Sequence, residues 1–138
     1  MQIFAAHVQL RGRPESGGIL LGTVHDNGLL VRIATQPSRH DKQSAYLFER
    51  MAFGHRAAAR RHWRSSGGIV RYLGDWHTHP QDFPTPSGLD LEEWQKLARA
   101  RKDERPTLSV IVGRKALHVE MMDKRGKRSP LSATHENL

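Results

Sequence analysis

The sequence predicts a single α/β domain in which helices pack on a mixed β-sheet. Its 138 residues correspond to one hydrophobic core rather than two. Apolar runs of strand length alternate with two segments of helical periodicity, in the order hairpin, helix, strand, helix, hairpin. A chain that alternates in this way builds a sheet with helices on its faces.

A hairpin is predicted near each end of this pattern. The apolar runs at residues 19–24 and 29–34 flank an Asn-Gly pair, and both residues of such a pair tolerate the positive φ angles of a tight turn. The runs at residues 108–112 and 116–121 are separated by a second short turn that contains a glycine. We therefore expect two pairs of antiparallel strands.

The segment between the hairpins is predicted to form a helix, a strand and a second helix. From about residue 41 to 64, apolar and small side chains recur on one helical face, and a Gly-Gly pair then ends the helix. Residues 69–78 have the pattern of a half-buried strand. Residues 88–103 form an amphipathic helix that stops before Pro106. We expect residues 1–123 to be one domain, followed by a basic, mobile tail at 124–138.

Composition excludes several classes of protein. The chain has 22 Lys and Arg residues against 14 Asp and Glu, a net charge of +8 that suits an anionic partner. It has no cysteine, which excludes disulfides, thiol nucleophiles and cysteine-ligated zinc. No apolar run approaches the ~18 residues that span a bilayer. We therefore expect a soluble, cytoplasmic protein with no membrane partner.

The most informative stretch carries two histidines, a proline-rich loop and a carboxylate. His77 and His79 are two apart on the predicted strand, so both imidazoles point to the same side. Three prolines stiffen the loop that follows, and Ser87 occupies the expected N-cap of the second helix. Asp90 lies in the first turn of that helix. Two imidazoles and one carboxylate form a ligand set typical of catalytic zinc, which keeps a fourth position open for water.

Each of these residues also has a purely structural interpretation. The Ser-x-x-Asp pattern before an apolar helix face is commonly a capping box, although capping and metal binding by Asp90 are compatible. A metal-bound water also needs a base that is not itself a ligand. Glu15, at the entry to the first strand, is the best candidate, although most glutamates in loops are simply solvated.

Together these residues resemble the signature of the JAB/JAMM (MPN-plus) metalloprotease family. The resemblance comprises Glu15, the Gly-Gly-Ile-Leu-Leu-Gly run from residue 17, and His-x-His, seven residues, then Ser-x-x-Asp. It implies a single MPN/JAB domain with a cytidine-deaminase-like fold. It also implies Zn²⁺ held by His77, His79 and Asp90, with Glu15 and Ser87 as catalytic residues. In this family the glutamate activates the bound water and the serine stabilises the tetrahedral intermediate.

The resemblance is most specific to one prokaryotic branch, the JAB peptidase associated with the cGAS-like nucleotidyltransferases of bacterial CBASS anti-phage operons. It rests on Thr35-x-Pro37, Asp41, Phe48-x-Arg50, His55, Trp63-x-x-Ser66-x-Gly68 and the run from Tyr72 to Pro80. Where this branch usually has Glu, the chain has Asp75. The branch implies a zinc isopeptidase that cuts after the C-terminal residue of a conjugated nucleotidyltransferase and so opposes an E1/E2-like ligase.

Several alternatives stay open on sequence alone. A RadC-like JAB protein linked to DNA shares the His-x-His-Pro element, but it typically has Asn where this chain has Thr78. A deconjugase or processing peptidase for a bacterial ubiquitin-like protein would use the same site. A zinc deaminase is excluded because its zinc is held by cysteines, and an inactive MPN scaffold would have lost ligands. Nucleic acid is a less favoured partner, suggested by the Arg-Arg-x-x-Arg run from residue 60 and the basic tail.

Overall fold

The computed structural model describes residues 17–26, 28–35 and 54–133, with residues 54–58 described by their backbone alone. This part of the chain forms one six-stranded mixed sheet and two helices. The strands are β1 (Gly17–His25), β2 (Gly28–Ala34), β3 (Arg71–Thr78), β4 (Thr107–Val112), β5 (Leu117–Met122) and β6 (Arg128–Pro130). The helices are α1 (Gly54–Ser65) and α2 (Gly88–Ala100). The predicted α/β class with a mixed sheet and helices is confirmed.

The sheet order is β2-β1-β3-β4-β5-β6, which puts β3 near the centre. β3 pairs antiparallel with β1 and parallel with β4, while β4–β5 and β5–β6 are antiparallel. A parallel pair requires a crossover connection, and α2 provides it between β3 and β4. β3 and β4 approach closely at Gly74, where any Cβ would overlap the carbonyl of Leu108.

Both predicted hairpins are present. β1 and β2 meet at a turn where His25 pairs with Gly28, and Gly28 has a φ of 151° that an L side chain rarely adopts. β4 and β5 pair from Thr107–Met122 to Val112–Leu117. Gly113 begins the turn between β4 and β5. Glycine suits this position because a side chain there would overlap Pro84.

The core has a layer on each face of the sheet. One cluster contains the buried side chains of Leu20, Ala34, Leu73, Trp76, Leu108, Val110 and Val112. The other forms where α2 contacts β4 and β5, and contains Trp94, Leu97, Ala98, Ile111 and Met122. The second layer lies directly behind the strand end that carries His77, and it therefore fixes how α2 sits against the histidines.

Two predicted boundaries, the end of α2 and the start of β3, differ from the structure. α2 ends at Ala100 rather than residue 103, because Arg101 turns inward and donates hydrogen bonds to the carbonyls of Tyr72, Leu73 and Pro106. β3 begins at Arg71 rather than residue 69, after a turn in which Ser66 Oγ accepts a hydrogen bond from Val70 N (2.8 Å). Of the helix predicted over 41–64, residues 41–53 lie outside the described part of the chain.

The basic tail expected from residue 124 contains the edge strand β6. Arg128 in β6 donates two hydrogen bonds, of 2.8 and 2.7 Å, to the buried carboxylate of Glu120 in β5. A buried carboxylate requires such a partner, which explains why a short polar segment pairs with the sheet. Neither described helix is long and apolar enough to cross a membrane.

Candidate metal centre

The end of β3 carries the two histidines. The last six residues of this strand are buried, because β1 and β4 flank it on both sides. His77 and His79 are 4% and 9% exposed, and Thr78 between them is fully buried. The ring centroids of the two histidines are 4.8 Å apart. Period-two alternation therefore brings both imidazoles to one side of the strand end, as the spacing predicts.

The loop after His79 is fixed to the turn between β4 and β5. Arg114 N donates to the carbonyl of Gln81 (2.8 Å), and the backbone amides of Lys115 and Ala116 donate to the carbonyl of Asp82. The guanidinium of Arg114 donates to the carbonyl of Pro80 (2.7 Å). These bonds hold the proline-rich loop in one conformation, so it delivers the next helix at a defined position.

α2 begins with a complete capping box. Ser87 Oγ accepts a hydrogen bond from Asp90 N (3.1 Å), and Asp90 Oδ2 accepts one from Ser87 N (2.8 Å). These two bonds satisfy donors that a helix N-terminus otherwise leaves free. They also fix the rotamer of Asp90 so that its carboxylate faces the histidines. The capping interpretation and the ligand interpretation of Asp90 therefore hold in the same geometry.

The ligand atoms of His77, His79 and Asp90 converge. Asp90 Oδ1 lies 3.3 Å from His77 Nε2, and Asp90 Oδ2 lies 3.2 Å from His79 Nε2. The two Nε2 atoms are 3.1 Å apart. Zinc with N and O ligands at about 2.0–2.1 Å in tetrahedral geometry separates its ligands by about 3.3 Å. The donor set and its spacing therefore fit a metal ion, and His77, His79 and Asp90 are a group that could hold one.

Gln81 orients His79 and is a feature that the sequence analysis did not single out. Its Oε1 lies 3.1 Å from His79 Nδ1 and also accepts a hydrogen bond from Thr85 N (3.2 Å). A carbonyl oxygen at Nδ1 selects the tautomer that has its proton there, which leaves Nε2 free as a ligand. The signal in the sequence was the position of this residue, two after a histidine in a stiff loop.

His77 is held by packing instead. Among the described residues, no hydrogen-bond partner reaches its buried Nδ1 atom. Its ring lies 6.2 Å from that of Trp94, a fully buried residue of α2. The ring of His118 stacks against the indole of Trp94. The indole thus forms the wall behind the metal group.

The electrostatics of the group favour an ionised carboxylate. Burial by itself raises the pKa of the Asp90 carboxyl group, but hydrogen bonds from His77 and His79 act in the opposite direction and dominate. The pKa of Asp90 consequently lies well below its ordinary value. A carboxylate must be deprotonated to bind a metal ion, and this one is so at neutral pH.

The two predicted catalytic residues have different outcomes. Ser87 is exposed beside the metal group, and its hydroxyl oxygen accepts from Asp90 N. Glu15 lies outside the described residues. The described chain begins two residues later at Gly17, which pairs with His77 across the sheet.

Comparison with known proteins gives the family. The family described as "Prokaryotic homologs of the JAB domain" matches residues 1–125. The chain belongs to the prokaryotic JAB family. Within this JAB domain, the matched region covers both described helices and the first five strands.

Relatives of this JAB domain have one name in common. A Pseudomonas aeruginosa protein named "CD-NTase/cGAS isopeptidase" is 50% identical over 133 residues, which are 96% of this chain and 84% of the relative. A protein of the same name from Escherichia coli is 34% identical over 76% of this chain and 65% of its own length. One from Vibrio cholerae is 34% identical over 74% of this chain and 64% of its own length.

Two solution structures share the fold of this JAB domain. Protein DSY2949 from Desulfitobacterium hafniense aligns with a TM-score of 0.65 and 17% identity, over 99% of this chain and 89% of its own. A protein from Salinibacter ruber aligns with a TM-score of 0.53 and 21% identity, over 99% of this chain and 86% of its own. At these identities the likeness establishes the fold alone.

Proposed function

We propose that this JAB domain is a zinc-dependent isopeptidase that removes a conjugated nucleotidyltransferase of the cGAS-like class from its targets. The scissile bond follows the C-terminal residue of the nucleotidyltransferase, so the reaction reverses conjugation by an E1/E2-like ligase in anti-phage defence. The convergence of His77, His79 and Asp90 is the observation that carries the reaction class. The names of the relatives support the substrate class.

Zinc is the metal that best suits this donor set. Two imidazole nitrogens and one carboxylate are borderline and hard ligands, and three protein ligands are typical of catalytic zinc. When bound, zinc would act as a Lewis acid toward the scissile carbonyl and would lower the pKa of a water ligand toward about 7. The hydrogen bond between His79 and Gln81 would keep the imidazole in its ligating tautomer.

Glu15 is the proposed general base and then general acid. It takes a proton from the attacking water and passes that proton to the amine that leaves. It lies two positions before Gly17 in the sequence, which limits the distance between their Cα atoms to about 7 Å. Because Gly17 pairs with His77, this upper limit on the distance supports a position for Glu15 near the metal group.

Ser87 is the proposed donor to the oxygen of the scissile carbonyl as that oxygen gains negative charge. Its lone pair already accepts a hydrogen bond from Asp90 N, which orients the hydroxyl group. Within the described residues its own hydrogen is not donated to any acceptor, so it is available to substrate. A donor held in advance in this way needs no reorganisation during the reaction.

The decisive experiment combines metal analysis with turnover. The substrate is a nucleotidyltransferase joined through its C-terminal residue to a reporter protein. The wild-type chain should contain about one zinc and cut at the junction, whereas Glu15→Gln should retain zinc and lose turnover. His77→Ala should lose metal, because two ligands hold zinc far more weakly than three. A wild-type protein that takes up no zinc, or a Glu15→Gln variant with the wild-type rate, would contradict the proposal.

A further inference from the structure

The surface of α1 carries a cluster of three arginines that the proposed chemistry does not use. Arg60, Arg61 and Arg64 are exposed and, with Ser65, line a shallow depression of about 650 Å³. Arg60 and Arg64 are four residues apart and therefore share one face of the helix. We call these three residues the arginine patch.

The charges of the arginine patch are uncompensated within the described part of the chain. α1 contains no acidic residue, and the three guanidinium groups of the patch form no ion pair or hydrogen bond with any described residue. Elsewhere in the described part of the chain, three arginines have an acidic neighbour: Arg101 with Asp103, Arg114 with Asp82 and Arg128 with Glu120. Like charges four residues apart on one helix repel each other, so an anionic partner would relieve the repulsion between Arg60 and Arg64.

An exposed aromatic side chain adjoins the patch. Trp63 is 54% exposed, and its indole lies against Gly68, whose amide donates to the carbonyl of Trp63 (2.7 Å). The ring therefore lies beside the turn that ends α1. Tryptophan and arginine are the residues most enriched at the energetic centres of protein interfaces. The combination favours a protein partner over a diffuse counterion atmosphere.

The arginine patch lies toward the end of α1, the helix that leads into the start of β3, whereas the metal group lies at the end of that strand. Six residue steps along β3, about 20 Å at 3.3 Å per residue, separate Arg71 from His77. A peptide of about four residues bound at the metal group extends only about 13 Å and would not span that length. A folded body attached to that peptide could contact both.

We infer that the arginine patch, with Trp63, is an exosite that binds an acidic surface on the folded body of the substrate. This inference rests on the proposed isopeptidase activity and adds the source of its substrate selectivity. A nucleic acid is the less favoured ligand, because three arginines could neutralise only about three phosphates, whereas duplex binders commonly contact about six to ten. Opposite charge would mainly accelerate encounter with the substrate, so the effect should appear in kcat/KM and should weaken with salt.

The test compares two substrates and two charge-matched variants. One substrate is the folded nucleotidyltransferase–reporter fusion, and the other carries only its last four residues, about 13 Å when extended, before the reporter. The exosite variant is Arg60→Gln with Arg61→Gln and Arg64→Gln. The control variant, Lys124→Gln with Arg125→Gln and Lys127→Gln, removes the same charge from another exposed segment.

At low salt the exosite variant should lose about tenfold in kcat/KM on the folded fusion and nothing on the short substrate, and the loss should shrink at 0.5 M salt. Equal losses in the exosite and control variants would overturn the inference, because net charge alone would then account for them. So would wild-type kcat/KM in the exosite variant on both substrates. Retention of the wild-type chain, but not the exosite variant, on duplex DNA at physiological salt, with unchanged cleavage, would assign the patch to nucleic acid instead. If the wild-type chain cuts neither substrate, the proposed function fails rather than the exosite.

Discussion

Ser87 combines a structural role in the helix cap with a proposed role in catalysis, and three substitutions separate the two. Ser87→Ala removes the hydrogen bond that Ser87 Oγ accepts from Asp90 N (3.1 Å). Loss of a serine N-cap costs about 1 kcal/mol when alanine replaces it, but only a few tenths when glycine does. Ser87→Thr keeps both the cap and the hydroxyl. The bond from the residue-87 amide to Asp90 Oδ2 (2.8 Å) involves only backbone at that position and survives in all three variants.

These free energies predict that stability and activity rank the three variants in different orders. For a domain of this size, 1 kcal/mol corresponds to a decrease in Tm of about 4 °C, expected for Ser87→Ala and nearly absent for Ser87→Gly. The same 1 kcal/mol could weaken metal affinity through Asp90 by at most about fivefold. Turnover should nevertheless fall by about 10²–10³ in both variants, because each lacks the donor to the developing oxyanion. Ser87→Thr should stay within about tenfold of the wild-type rate.

The assay measures Tm, zinc content and kcat on the same preparations, at a temperature well below every Tm. Zinc content near one per chain in all variants shows that differences in rate do not come from lost metal. If Ser87→Gly retains the wild-type kcat, the hydroxyl takes no part in catalysis. If instead kcat follows Tm across the series, Ser87 contributes only through the cap.

Three further predictions concern the surroundings of the metal group and the stability of the sheet. Gln81→Ala should weaken zinc affinity about 10–100-fold in a chelator competition, because His79 loses the acceptor at Nδ1, and unchanged affinity would show that packing alone orients the ring. Arg101→Ala should lower the free energy of unfolding in urea by about 3 kcal/mol, since it removes charged hydrogen bonds to three backbone carbonyls; a change below about 1 kcal/mol would contradict this. Burial raises the pKa of Glu120, but hydrogen bonds from Arg128 and His118 dominate and lower it below its ordinary 4.5. The resulting stability is present above pH 4.5 and lost as pH falls through the lower pKa of the folded state, so Glu120→Gln should show a shallower acid-induced decrease in Tm than the wild-type chain.

Local sequence patterns were sufficient where an element depends on its own residues. The Asn-Gly pair predicted the first hairpin because both positions accept the backbone angles of the turn, and Gly28 does adopt a positive φ. The pattern from Ser87 to Asp90 predicted the start of α2 because a capping box is formed within four residues. Period-two spacing likewise predicted that His77 and His79 share one side of their strand.

Elements that depend on distant partners could not be predicted. β6 is a three-residue strand of exposed residues without hydrophobic alternation, and it pairs because Glu120 is buried eight residues earlier and recruits Arg128. The end of α2 depends on carbonyls in β3 that lie 28 and 29 residues before Arg101. No pattern within a short window of sequence contains these contacts, so a prediction from such windows extends the helix to the next proline.

The topology explains why spacing along the chain was informative about the metal group. In a strand–helix–strand crossover the helix starts near the carboxyl end of the strand that precedes it, and here α2 follows β3 after a loop of nine residues. Ligands in the last residues of the strand and in the first turn of the helix therefore meet without help from distant parts of the chain. The bonds from the loop to the turn between β4 and β5 then remove the remaining freedom. A base that precedes β1 in the sequence has no such local constraint, because its approach to the group depends on the pairing of Gly17 with His77 sixty residues later. For that reason the three ligands follow from one stretch of sequence, whereas the role of Glu15 rests on family resemblance and requires the Glu15→Gln experiment.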